Sequence, residues 1–183
     1  MIAPELTQRL TAIKLLAFDV DGVLTDGGIW FSAAGDELVR FDVHDGAGFT
    51  LARRVGLRLA VITGRDTPAV RRRMEMLSVD EYHPGIRDKG LVIRNLRTKY
   101  GLGRDAVLFM GDDLLDLPAF AEAGVTAAPA SAVEEVRRSV DHVAVRPGGA
   151  GAAREVVELV LKAQARWEEA VRLFAGGGSH LTQ

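Results

Sequence analysis

A chain of 183 residues with 48% hydrophobic and 26% charged side chains has the balance of a folded domain long enough to bury a real core. The formal net charge of −2 excludes a global pull toward nucleic acid or anionic membrane, so an anionic ligand must be held locally by a few cations and backbone N–H groups. With no cysteine, a disulfide framework and any thiolate metal site are excluded, and no apolar run reaches the ~18 residues of a membrane span.

The first residues carry Glu5 and Arg9 among apolar side chains and lack a signal-peptide core, so a helix from Pro4 to about Ala12 and a cytoplasmic location are expected. Leu15–Leu16–Ala17–Phe18 is then a compact apolar run ending at Asp19. Next, residues 28–31 and 37–41 form two short β-rich runs about Ala34–Gly35 and predict a hairpin over roughly 27–43. An isolated hairpin is marginal in water. Trp30, Phe31 and Phe41 therefore imply that it packs against something, a neighbouring subunit being the expected partner.

Further apolar runs follow at 57–62, 106–110, 125–128 and 142–145. Short runs of this kind suit strands covered on both faces, as in a parallel sheet. Helices are predicted between them: 45–55 closed by Gly56, one opened by Thr67–Pro68, 88–100 closed by Gly101, and 113–123 closed by Gly124. Ser131–Ala132–Val133–Glu134 reads as a capping box. One long helix is predicted over 151–174, its stripe of Val156, Val160, Ala163, Trp167, Val171 and Phe174 facing either its own sheet or another subunit. The glycines at 176–178 predict a mobile tail over 176–183. The alternation implies an α/β fold, a doubly wound (Rossmann-like) parallel sheet flanked by helices, in one domain over 1–175.

Chemistry concentrates where strands end. Asp19 and Asp21 close the first strand, and ligands of open α/β sheets bind beyond the carboxyl ends of strands. A single aspartate there is usually a solvated turn residue. A second pair, Asp112 and Asp113, follows the strand at 106–110, and neighbouring strands would bring Asp112 close to Asp19 and Asp21. Carboxylates so crowded resist ionisation unless a cation intervenes, and an all-oxygen set suits Mg2+. Thr63–Gly64–Arg65 offers a hydroxyl, open N–H groups and a guanidinium after the strand at 57–62, and Lys89 opens a later helix.

That ordered set resembles the haloacid dehalogenase-like phosphatase superfamily: Asp19–Val20–Asp21–Gly22, then Thr63–Gly64, then Lys89, then Gly111–Asp112–Asp113. The resemblance implies that Asp19 attacks phosphorus to form an aspartyl-phosphate. It makes Asp21 acid and then base, with its backbone carbonyl on Mg2+, while Thr63 and Lys89 hold the phosphoryl group and Asp112 completes the metal shell with Asp19.

Within the superfamily the sequence is most similar to the 3-deoxy-D-manno-octulosonate 8-phosphate phosphatases. The likeness rests on the stretch from Asp19 through Gly27, on Phe41–Asp42–Val43–His44–Asp45–Gly46, on Ile62–Thr63–Gly64–Arg65, on the stretch from Gly111 through Pro118, and on the glycine-rich stretch from Gly148 through Glu155. It implies a hairpin in place of a cap domain and homotetramers whose active sites are bordered by a neighbour. It also implies a phosphorylated sugar acid as substrate, a role in lipopolysaccharide precursor synthesis, and contacts from Asp21, Asp42, Val43, His44, Asp45, Gly46, Gly64, Arg65, Arg73 and Lys89.

His44, Thr50 and Ala150 depart from residues common in that family and bear on the substrate, which leaves 2-keto-3-deoxynononic acid 9-phosphate as an alternative. A phospho-receiver switch uses similar residues but places its acceptor aspartate before threonine and lysine; here the second acid pair follows them. A non-catalytic assembly module would not need every reacting group retained.

Overall fold

Most of the expected strands and helices form in the computed structural model, which describes residues 3–176, though the helix expected over 113–123 is a 3-10 turn over Leu114–Asp116 and a short helix over Leu117–Glu122. Six strands make one parallel sheet in the order β5-β4-β1-β6-β7-β8, where β1 is Leu15–Phe18, β4 Arg58–Ile62, β5 Glu81–His83, β6 Val107–Met110, β7 Val125–Ala128 and β8 His142–Val143. The central strand β1 pairs with β4 on one side and β6 on the other, Phe18 lying level with Val61 and Met110.

Because side chains alternate along a strand, each apolar run feeds two cores. Leu16, Phe18, Leu59, Val61, Leu108 and Met110 face one side. There they meet α1 (Pro4–Thr11), α2 (Val43–Arg54), α3 (Pro68–Leu77), α7 (Ala152–Ala163) and α8 (Trp167–Gly176). Leu15, Ala17, Ala60, Ile62, Val107 and Phe109 face the other, against α4 (Lys89–Tyr100), α5 (Leu117–Glu122) and α6 (Glu134–Ser139). Coverage on both faces explains why these strands read as unbroken apolar runs rather than as alternating ones.

Thr67 and Asp88 cap α3 and α4 by accepting from the N–H groups of Val70 and Leu91. Gly101 ends α4 in the left-handed conformation at φ 61°. Helix α2 starts two residues earlier than expected, because Asp42 caps it through the N–H of His44.

The structure departs from the sequence reading at three further points. The helix expected over 151–174 is two helices, broken at Ala165, whose φ is +54°. Its stripe mostly meets its own chain: Val156 and Val160 are buried, and Ala163, Trp167 and Phe174 pack against the same core, while Val171 is exposed. Second, 131–134 forms no capping box; α6 begins at Glu134 without a side-chain cap, and Ser131 instead accepts from the N–H of Gly148. Third, β5 has no apolar run to announce it; Glu81 is held there by Lys99, Tyr100 and His83. Of the tail expected over 176–183, residues 177–183 lie outside the described residues.

The hairpin is present as β2 (Trp30–Phe31) and β3 (Glu37–Leu38), antiparallel and two residues each. Ile29, Trp30, Phe31 and Leu38 are all exposed in the single chain. No helix among the described residues is long and apolar enough to cross a membrane.

Candidate active site

Strands β1 and β6 are neighbours, so their carboxyl ends deliver Asp19 and the 111–113 turn to one place. The N–H of Asp19 still donates to Met110 O at 3.0 Å, extending the ladder by one residue. The chain then turns tightly: the N–H groups of Leu24 and Thr25 donate to Val20 O, and the Thr25 hydroxyl accepts from the N–H groups of Gly22 and Gly27. Gly22 takes φ +77°, and a Cβ there would stand 1.9 Å from Asp112 Oδ2. The glycine lets the second acidic loop lie directly on the first.

Carboxylate oxygens of Asp19, Asp112 and Asp116 all fall within 4.8 Å of one another. Lys89, at the first position of α4, puts its Nζ 2.8 Å from Asp19 Oδ2 and 2.7 Å from Asp116 Oδ1. Asp116 is fully buried, and its second oxygen accepts from the N–H groups of Asp112 and Asp113. It thus fixes both the ammonium and the acidic loop. Sequence alone does not single out Asp116, although it lies in the stretch from Gly111 through Pro118, because a lone aspartate after two leucines carries no signal of the 3-10 turn over Leu114–Asp116 that folds it back.

Burial pushes the Asp19 carboxyl up to about 7; Lys89 pulls it down and Asp116 adds repulsion. Burial likewise raises Asp112 to about 7, with repulsion from Asp19, Asp116 and Asp113 adding to it. Lys89 is raised instead: burial opposes its charge, but Asp19 and Asp116 outweigh that cost. Three carboxylates facing one ammonium leave excess negative charge in a dry place, and the donors are all hard oxygens. The set fits a divalent cation such as Mg2+.

The other expected residues fall into two groups. Thr63 is fully buried at the end of β4, and its hydroxyl accepts from the N–H of Arg65; Gly64 leaves open backbone beside it. The Asp21 carboxylate is outside the three-carboxylate set and faces Arg65, Oδ1 to Nη1, at 3.4 Å. In the second group, Asp42 caps α2 and accepts from His44 Nδ1 at 3.1 Å, while Val43 and His44 are exposed. Arg73 is half-buried, donates to Asp42 O, and lies where a Cβ on Gly46 would stand 2.6 Å from its Nη2. Burial lowers the Arg73 pKa.

Asp45 is buried beside Asp42 and Arg73 and accepts from the N–H groups of Gly151 and Arg154, capping the start of α7. The glycine-rich segment before α7 closes on the turn that follows Asp19, with Gly149 N–H donating to Val23 O at 3.0 Å. A Cβ on Gly148 would stand 1.7 Å from Gly22 O, so this packing admits no side chain there.

Replacing Asp116 by alanine should destabilise the metal-free protein by about 1–3 kcal/mol, because it takes the acceptor from two loop N–H groups and leaves Lys89 with Asp19 as its one remaining carboxylate. Urea denaturation in chelator would measure this; a loss below about 1 kcal/mol, the worth of an ordinary surface ion pair, would deny Asp116 that role.

The parallel sheet, the small hairpin and the acidic turns at adjoining strand ends are those of the haloacid dehalogenase superfamily. No family model matches the chain. It is 38% identical over 159 residues to the 3-deoxy-D-manno-octulosonate 8-phosphate phosphatase KdsC of Haemophilus influenzae, covering 87% of this chain and 88% of that protein. It is 35% identical to KdsC of Escherichia coli K12, covering 92% and 90%. A crystal structure of the Moraxella catarrhalis phosphatase with magnesium ion, phosphate ion and KDO molecule aligns at a TM-score of 0.89 and 38% identity, over 93% of this chain and 98% of that one. The chain belongs to the 3-deoxy-D-manno-octulosonate 8-phosphate phosphatase family, a family of phosphoric monoester hydrolases.

Proposed function

We propose that this protein is a Mg2+-dependent phosphatase that hydrolyses 3-deoxy-D-manno-octulosonate 8-phosphate to the free sugar acid and phosphate, in the cytoplasm, as a step of lipopolysaccharide precursor synthesis. The observation that carries the reaction is the convergence of Asp19, Lys89, Asp112 and Asp116 on one point. Support for the sugar acid comes from relatives at 35–38% identity that bear that name.

In this reading Asp19, Asp112 and the Asp21 backbone carbonyl hold the metal. When bound, Mg2+ neutralises charge on the phosphoryl oxygens and lets Asp19 ionise at neutral pH. A carboxylate oxygen of Asp19 attacks phosphorus; the bond to the sugar oxygen breaks, and Asp21 gives that oxygen its proton. Asp21 then takes a proton from water, which attacks the aspartyl-phosphate and releases phosphate and free Asp19. Lys89 and Thr63 hold the phosphoryl oxygens. Arg65, Arg73, Gly64, Lys89 and the start of α2 with its cap Asp42, exposed Val43 and His44, and Gly46 form the wall that meets the sugar acid, with Asp45 bracing that start against α7, a guanidinium being suited to grip a carboxylate.

The test is phosphate release with Mg2+ from a panel at equal concentration: the octulosonate ester, 2-keto-3-deoxynononic acid 9-phosphate and p-nitrophenyl phosphate. The octulosonate ester should be hydrolysed fastest. No preference for either sugar acid over the simple ester would remove the substrate assignment, while activity on the simple ester alone would preserve the phosphatase.

The reading includes a homotetramer in which hairpins meet and border neighbouring sites. Its support is the set of exposed apolar side chains Ile29, Trp30, Phe31 and Leu38, which a lone chain would leave in water. Converting both Trp30 and Phe31 to glutamate should yield monomers by light scattering; an unchanged assembly would place the interface elsewhere.

A further inference from the structure

Residues 37, 39 and 41 are half-buried while 38 and 40 are exposed, so one side of the segment that runs from β3 toward α2 faces the body of the protein. Val39 and Phe41 on that side pack against the core. The third member is a carboxylate, Glu37. Its Oε2 lies 2.6 Å from Arg65 Nη2, and Arg65 is the only side-chain partner it has among the described residues. Its Oε1 is buried with no hydrogen-bond partner. A carboxylate taken partly out of water for a single contact has that contact as its physical rationale.

The far end of the same guanidinium is the looser one, Nη1 standing 3.4 Å from Asp21 Oδ1 against the ~2.7–2.9 Å of a well-formed charge-assisted bond. A flexible arginine beside a lone acid would close on it. Here the hairpin holds the guanidinium back, leaving it at the mouth of the site between Asp21 and the hairpin.

Building on the proposed substrate, we propose that Glu37 is a positioning residue: it fixes Arg65 where the guanidinium can receive the carboxylate of the sugar acid without collapsing onto Asp21. Sugar-acid selectivity thereby depends on the hairpin being docked. A substrate with no carboxylate draws little from this arrangement.

The experiment is a double-mutant cycle on the Mg2+-loaded enzyme with Glu37→Ala, Arg65→Ala and the double variant, each assayed on the octulosonate ester and on p-nitrophenyl phosphate. Glu37→Ala should lower the ratio of the two kcat/KM values about tenfold or more, chiefly through KM for the sugar acid. In the Arg65→Ala background the same change should add less than about twofold. Glu37→Gln, which keeps the shape and one acceptor, should fall between wild type and Glu37→Ala.

Equal losses on both esters, no loss on either, or full additivity with Arg65→Ala would each overturn the proposal. If the wild type does not prefer the octulosonate ester, the substrate assignment fails by itself. The cycle is then read on whichever phosphorylated acid of the panel the wild type hydrolyses fastest, with the same outcomes deciding.

Discussion

Asp19→Asn should lower kcat by at least about 10⁴-fold while leaving the fold intact, the scale expected when a nucleophile is removed and the binding groups remain. Asparagine fills the same space, and Lys89 keeps its 2.7 Å contact with Asp116. The metal-free variant should also be no less stable than wild type. Burial and the Asp116 charge oppose the Asp19 charge more strongly than Lys89 favours it, since the net shift is upward to about 7. A neutral amide escapes that cost. Steady-state turnover and a thermal melt on the same preparation check both halves. Activity within about tenfold of wild type would take Asp19 out of the chemistry.

The second large effect concerns the cation. Asp19 and Asp112 each titrate at about 7 in the metal-free fold against an ordinary 3.8. Between those values the unfolded chain has released protons that the folded one still holds. Stability of the metal-free protein therefore falls as pH rises from about 4 through about 7 and levels off above. A divalent ion binds the ionised carboxylates, so it relieves this cost at alkaline pH and must displace protons at acid pH.

Mg2+ at about 100 times its dissociation constant adds about 2.7 kcal/mol. For a chain of this size that is a rise in Tm of roughly 5–10 °C. The rise should be seen near pH 8 and should shrink sharply near pH 5. Scanning calorimetry with Mg2+ against chelator at both pH values measures it. Asp112→Asn should abolish most of the shift; an equal shift at both pH values, or one that survives that substitution, would move the cation elsewhere.

The sheet is legible in the sequence because a strand buried on both faces is mostly apolar: β1 and β6 are apolar throughout, β4 apart from the exposed Arg58 that starts it, and β7 apart from Thr126. Asp19 and Asp112 are legible for a related reason: an acid that ends such a run is carried to the sheet's carboxyl edge. What escapes is whatever depends on a distant partner. Glu81–His83 becomes a strand because β4 offers it an edge, not because its residues favour one. The break at Ala165 has no local sign, since alanine favours helix; the chain is instead anchored where Gln164 Nε2 donates to Leu10 O and Ile13 O.

Within the site, the same division holds. The order of acids, threonine and lysine along the chain identifies the elements that meet. It does not reveal which way each side chain turns. Asp45 sits in a stretch that reads as substrate-facing, yet its carboxylate caps α7. Asp116 and Glu37 look like solvated acids in sequence and are held by Lys89 and Arg65 in the fold.

The most direct measurement is a rapid quench of the Mg2+-loaded enzyme during turnover of substrate labelled in its phosphoryl group, followed by peptide mapping. Acid-stable label should be found on the peptide carrying Asp19, should disappear on a chase with unlabelled substrate, and should be missing from the Asp19→Asn variant. Label on any other side chain, or steady turnover with none retained by the protein under conditions where the aspartyl-phosphate survives quenching, would contradict the account.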